Sequence, residues 1–203
     1  MLNIAVFVSG RGSNLRAIHE AVEGGALDAK IVLVLSSRDD APALAWAAAR
    51  GIRTASLQDV PANDLSAEML RRLDAVTADF IALAGYMKRI PEEVVHRFSG
   101  RMLNVHPALL PSFGGRGMFG YHVHEAVLAA GVRVSGATVH IVDEEYDRGP
   151  IVLQRCVPVE DDDTAESLAA RVLTVEHELL PAALQLFSRG LVHVRDGRVH
   201  IKK

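Results

Sequence analysis

An amide and an imidazole stand two residues apart in Leu103-Asn104-Val105-His106-Pro107-Ala108-Leu109-Leu110-Pro111. Residues i and i+2 of a strand project from one face, so Asn104 and His106 can converge on one small volume. Pro107 and Pro111 stop the strand where those side chains are needed. An amide donor beside a titratable imidazole can hold a developing oxyanion and move a proton, which suits acyl transfer. A carboxylate is available in Asp143-Glu144-Glu145-Tyr146-Asp147-Arg148-Gly149-Pro150. Acidic loops are usually solvated faces, but this one is expected over the end of the sheet where His106 emerges. Asp147 is the best candidate there, because Arg148-Gly149-Pro150 turns the chain right after it. A carboxylate next to an imidazole raises its pKa and can relay a proton.

A second site is marked by Ser9-Gly10-Arg11-Gly12-Ser13-Asn14, between a strand and a helix. Glycines let the backbone approach a phosphate, and a helix N-terminus offers N–H groups and a positive dipole. Leu15 breaks the G-x-G-x-x-G spacing and no P-loop lysine follows. The order strand, loop, helix favours phosphate binding over a plain tight turn. His122, His124 and His140 lack the spacing of a metal site, so no metal is expected. His122 and His140 read as hydrogen-bonded structural imidazoles, and Glu176-His177 by composition as a solvated helix face.

These residues need a scaffold. Asn3 to Val8, Ile31 to Leu35, Ile52 to Ser56, Phe80 to Ala84 and Met102 to His106 read as strands. Helices alternate with them over Ser13 to Glu23, Ala41 to Arg50, Leu65 to Leu73 and Glu92 to Phe98. The pattern predicts an α/β fold: a Rossmann-like, mostly parallel sheet flanked by helices. Beyond residue 106 the pattern changes. Ser112 to Gly120 holds four glycines in nine residues and reads as a mobile loop. Tyr121 to Ala130 is helical. Val134 to Val142 and Ile151 to Val159 are antiparallel strands added to the sheet in the C-terminal half. Thr164 caps a helix running to about Ser188, which Pro181 should kink or split. Residues 191–194 and 198–201 form a hairpin around Asp196-Gly197.

The chain has 203 residues, 49% of them hydrophobic, with a formal net charge of -3. One domain over 1–203 is expected. Scattered Lys and Arg argue against a nucleic-acid partner. The single cysteine, Cys156, allows no internal disulfide and reads as a buried structural thiol. The start lacks a signal-peptide n-region, and no apolar run is long enough for a membrane span. A soluble, cytoplasmic protein is expected.

Taken together, the motifs resemble those of the folate-dependent phosphoribosylglycinamide formyltransferases. The resemblance covers nearly the whole chain: Ile4 to Leu15, Leu83-Ala84-Gly85-Tyr86-Met87, Leu103 to Pro107, Gly136-Ala137-Thr138-Val139-His140, Asp147-Arg148-Gly149-Pro150-Ile151 and Glu176-His177. It implies formyl transfer from 10-formyltetrahydrofolate, as co-substrate, to 5-phosphoribosylglycinamide. The N-terminal half would then bind phosphate, and the C-terminal half would bind folate and do the chemistry. Gly12, Ser13 and Asn14 would hold the ribose phosphate, and Glu176 the glycinamide substrate. Met87, Lys88, Arg89 and Ile90 would line the folate pocket with backbone from Val142 and Asp143 to Asp147. Asn104 and protonated His106 would stabilise the oxyanion, with Asp147 keeping His106 charged. Residues 57–67 carry no Lys or Arg, and Ala62 falls where some relatives place an arginine for the folate glutamate tail. The glycines of 114–120 suit a lid.

The partners are then two small molecules, with no nucleic acid and no membrane, and the chain a monomer or homodimer. Formyltetrahydrofolate hydrolases and methionyl-tRNA formyltransferases share the Asn-His-Asp set, but carry an extra N-terminal or C-terminal domain for which 203 residues leave no room. A non-catalytic or redox nucleotide-binding module on a Rossmann-like sheet is the remaining rival. It has no use for the Asn104-His106 pair, and Ser36-Ser37-Arg38 stands where a ribose-binding acid belongs.

Overall fold

The computed structural model describes residues 1–202. The chain divides into two compact units, Met1–Leu103 and Asn104–Lys203.

In the first unit the strands are β1 (Leu2–Val8), β2 (Ala29–Ser36), β3 (Thr54–Ser56), β4 (Phe80–Leu83) and the start of β5 (Met102–His106). Their order is β3-β2-β1-β4-β5, and β1 pairs in parallel with both β2 and β4. Ile4 to Val8 and Phe80 to Leu83 are buried throughout. Continuous apolar strands of this kind are what a sheet covered on both faces demands. The connecting helices are α1 (Ser13–Glu23), α2 (Pro42–Ala48), α3 (Leu65–Asp74) and α4 (Glu92–Arg97). Each turns an apolar stripe inward: Leu15 and Ile18 from α1, Ala43 and Ala47 from α2, Met69 and Leu73 from α3, Val94 and Val95 from α4. One turn of 3₁₀ helix, Ala62–Asp64, precedes α3 and had no distinct sequence signal.

The chain leaves β1 toward β2 and β3, then returns to the other side of β1 as β4. The strand order therefore reverses between β1 and β4. In open α/β sheets, ligands bind outside the carboxyl ends of the strands at such a reversal.

The second unit holds the end of β5 and the strands β6 (Val134–Ile141) and β7 (Ile151–Pro158), in the order β5-β6-β7. The β6–β7 pair is antiparallel, as the sequence indicates. Helices α5 (Tyr121–Ala129) and α6 (Ala165–Ser188) complete it, and α6 packs on β6, β7 and α5. Thr164 caps α6 through a box: Ser167 N–H donates to Thr164 Oγ1 at 3.2 Å and Thr164 N–H to Ser167 Oγ at 3.0 Å. A separate two-stranded sheet, β8 (Val192–Arg195) and β9 (Arg198–Ile201), forms the hairpin.

Two expectations change here. Pro181 does not split α6, which runs unbroken from Ala165 to Ser188. Pro181 is buried with Leu179, Leu180, Ala183 and Leu184, and that apolar face holds the helix across the missing N–H. Cys156 is exposed rather than buried. It follows from β7 being the last strand: Val157 faces the core, and its neighbour must point the other way.

Candidate active site

The first unit presents the glycine turn at the carboxyl end of β1. Gly12 is left-handed (φ 74°) and opens α1 with no side-chain cap. A Cβ at Gly12 would stand 2.7 Å from the Ala43 Cβ, so both conformation and space require glycine. Ser13 and Asn14 form the first helical turn, where backbone N–H groups lack intrahelical partners and the dipole favours an anion. Ser9 braces the turn. Its Oγ lies 2.7 Å from Ser37 Oγ and accepts the Met87 N–H at 2.9 Å. The loops after β1, β2 and β4 are thereby tied together at the strand-order reversal.

The second unit holds the reactive groups. Asn104 and His106 lie on one face of β5, as alternation requires. His106 is 3% exposed. Its Nε2 faces the Phe113 carbonyl at 2.8 Å, so Nε2 carries the proton in the neutral ring. Its Nδ1 stands 3.6 Å from Asp147 Oδ2, an ion-pair separation too long for a strong hydrogen bond. Asp147 Oδ2 also accepts the Gly115 N–H at 2.8 Å, and Asp147 Oδ1 is 3.5 Å from His140 Nε2. His140 Nε2 in turn lies 3.1 Å from Asn104 Nδ2. Asn104, His106, His140 and Asp147 thus form one continuous polar cluster in an apolar setting.

Asp147 reaches the cluster through an unusual backbone. It is left-handed, with φ 57°, a conformation that Asp tolerates better than most residues. Gly149 explains the path that follows: a Cβ there would collide with the Ile141 carbonyl oxygen. Gly114 is equally confined, since its Cβ would run into the Leu110 side chain and stand 3.2 Å from the Asp147 Cβ.

Burial pushes the His106 imidazole below its ordinary range. The Asp147 charge and the Phe113 carbonyl pull it upward, and His140 adds to the depression; burial wins. Burial of the ring thus opposes the charged form of His106 that the sequence leads one to expect, and Asp147 favours it. For Asp147 the balance is reversed. Burial is the largest influence and would raise its carboxyl. The neighbouring His140 ring, the His106 charge and the Gly115 N–H together outweigh it and hold the carboxyl low. Burial favours the neutral form of the His106 ring, and the Asp147 carboxylate beside it favours the charged one. His106 is ready to take a proton and Asp147 to stabilise the resulting cation. One Asn104 amide hydrogen faces the His140 ring and the other is spare, and His106 can take a proton at Nδ1, so the cluster can hold an oxyanion and pass a proton, as acyl transfer needs.

The other expected site residues fall as follows. Ile90 is buried, Met87 is 46% exposed, and Lys88 is exposed. Arg89 is engaged by Glu92 at 3.0 Å. Val142 and Asp143 are half-buried, and Asp143 Oδ1 caps its own turn by accepting the Glu145 N–H at 3.0 Å. Glu176, on α6, is 8% exposed rather than part of a solvated face. His140 was read as structural from sequence, yet it touches both Asn104 and Asp147. The available signal was its position two residues after Thr138 in an otherwise apolar strand, matching the Asn104–His106 spacing. The Phe113 carbonyl and Gly115 N–H are backbone groups with no sequence signal.

Residues 2–184 match the formyl transferase family model. A chloroplastic phosphoribosylglycinamide formyltransferase from Vigna unguiculata is 42% identical over 198 residues, spanning 96% of this chain. The chain spans 64% of the length of that relative. The phosphoribosylglycinamide formyltransferase of Haemophilus influenzae is 35% identical over 204 residues, covering 99% of this chain and 94% of its own. The crystal structure of glycinamide ribonucleotide transformylase 1 from Symbiobacterium toebii superposes with a TM-score of 0.93 at 36% identity, covering 100% of this chain and 95% of the other.

Proposed function

The chain belongs to the formyl transferase family, and we propose that it moves the formyl group of 10-formyltetrahydrofolate to the amine of 5-phosphoribosylglycinamide, a step of purine biosynthesis. The observation that carries this reading is the cluster of Asn104, His106, His140 and Asp147, in a chain whose relatives are phosphoribosylglycinamide formyltransferases.

In this reading the amine attacks the formyl carbon and a tetrahedral oxyanion develops. Asn104 Nδ2 supplies a donor for it, and His106 adds its positive charge once protonated. Neutral His106 gains a proton as charge builds, and Asp147 stabilises the imidazolium through Nδ1. The proton then leaves with the departing folate nitrogen, and no covalent enzyme intermediate forms. The turn at Gly12, Ser13 and Asn14 takes the ribose phosphate, while Glu176 serves the glycinamide substrate. Met87, Lys88, Arg89, Ile90, Val142 and Asp143 are assigned to the folate. The chain then acts as a single formyltransferase domain on two small molecules in the cytoplasm, as a monomer or homodimer.

A formyl-transfer assay following deformylated folate by absorbance, with and without 5-phosphoribosylglycinamide, tests this. Turnover that requires the glycinamide nucleotide is expected. Folate release without it would make the chain a hydrolase, and no reaction with either would refute acyl transfer to this acceptor.

A further inference from the structure

The turn that follows His106 closes with one backbone hydrogen bond, from the Ser112 N–H to the Leu109 carbonyl at 3.1 Å. Pro107 and Pro111 bring no N–H, and residues 107–111 belong to neither helix nor strand. Yet this turn fixes the direction in which His106 leaves β5. Its polar groups are met by two side chains that face each other across β6 and β7, Thr138 and Gln154.

Thr138 is fully buried. Its hydroxyl donates to the Ala108 carbonyl at 2.6 Å and accepts the Leu110 N–H at 3.0 Å. It also accepts from Gln154 Nε2 at 2.9 Å, and the same amide nitrogen donates to the Leu110 carbonyl at 2.9 Å. A hydroxyl has one donor and two acceptor sites, and an amide nitrogen has two hydrogens. Every one of them is used. The pair thus grips three backbone groups of a single turn, and none of its polar capacity on that side is spare.

Thr138 and His140 are i and i+2 on β6 and share a face. The strand therefore addresses both members of the Asn104–His106 pair, Asn104 through the His140 ring and His106 through the turn that Thr138 holds. We propose that Thr138 and Gln154 are positioning residues for the acyl-transfer centre, acting by clamping the 107–111 turn so that His106 keeps its place against Asp147 and the Phe113 carbonyl. The proposal rests on the formyl-transfer reading for its kinetic readout, while its structural readout stands apart from that reading.

The test uses the full chain with Thr138→Val, Thr138→Ser and Gln154→Leu. Thr138→Val keeps the shape and removes all three hydroxyl bonds. Its turnover is expected to fall about 10²-fold, the size of effect that a misplacement of about 1 Å produces. The KM for 5-phosphoribosylglycinamide is expected to hold within about threefold, because uniform substrate binding is untouched. By NMR, the His106 titration should move toward that of an ordinary histidine as the ring loses its buried seat. Thr138→Ser should restore both readouts.

A Thr138→Val protein that melts earlier but keeps wild-type turnover and an unshifted His106 titration would reduce the pair to a structural role. If Thr138→Val does not fold, Gln154→Leu decides, since it sits on an exposed strand position and spares the Thr138 bonds to Ala108 and Leu110. A loss of about tenfold is expected from that smaller displacement; no loss overturns the clamp. If the wild-type chain transfers no formyl group, the functional reading fails, and the NMR titration of the variants still tests the clamp.

Discussion

His140 presents Nδ1 to the Ile141 carbonyl at 3.0 Å and Nε2 to Asn104 Nδ2 at 3.1 Å. A carbonyl only accepts, so Nδ1 carries the proton and the Nε2 lone pair accepts from the Asn104 amide. One tautomer of one ring therefore fixes the orientation of the Asn104 amide. In the proposed mechanism the second amide hydrogen is the oxyanion donor.

This relationship predicts that His140→Ala lowers turnover while leaving KM nearly unchanged, because it frees the Asn104 amide without removing it. The loss should be about tenfold, smaller than the 10²–10³ that deletion of an oxyanion donor costs. Steady-state kinetics on the purified variant check it. Wild-type turnover would show that Asn104 needs no such partner.

Asn104→Ala and His106→Ala should each lose at least about 10² in turnover. The double replacement should cost less than the product of the two, since groups acting as a unit are not additive. Multiplicative losses would mean the two side chains act on separate steps.

Two glycine replacements should separate folding from chemistry. At Gly149 an added Cβ meets the Ile141 backbone oxygen, whereas at Gly114 it meets the end of a Leu110 side chain and the Asp147 Cβ. Backbone yields less than a side chain, so Gly149→Ala should destabilise by about 1–3 kcal/mol or more. Gly114→Ala should stay folded and lose turnover by displacing Asp147. Thermal melts beside activity measurements distinguish them, and the reverse ranking would contradict the geometry.

The low-lying imidazoles predict how stability responds to acid. His106 is depressed by burial, against the pull of Asp147, and His124 by burial and the His106 charge. The unfolded chain then binds more protons than the folded one just below the ordinary histidine value of about 6.5. The stabilisation from their neutral, buried forms is fully present above that value and is lost as pH falls toward the folded values. The melting temperature should drop between about pH 7.5 and about pH 5.5, and the slope should be shallower in His106→Gln. Equal slopes would place the acid sensitivity elsewhere.

Much of this was legible in the sequence. The apolar runs at 4–8 and 80–83 mark buried strands, because that signal is local. Asn104, His106 and Asp147 were legible because period two and a forced turn bring them forward. The role of His140 was not, since it depends on which strand lies beside β5. The exposure of Cys156 depends likewise on β7 being the end of its sheet. The unbroken α6 around Pro181 reflects tertiary burial outweighing a local breaker. The depressed titration of His106 depends on how much water the fold removes, which no residue pattern states.

The strand β7 ends its sheet, and the hairpin reaches it through β9. A terminal strand is a template on which another chain can add, and proteins defend such strands with charge, proline or a covering segment. Here Arg155 pairs with Glu178, Pro158 closes the strand, and β9 lies against it. The hairpin then adds a cover to the edge of the sheet. A chain cut after residue 190 should keep its cluster of reactive groups yet aggregate at concentrations where the full chain stays monodisperse.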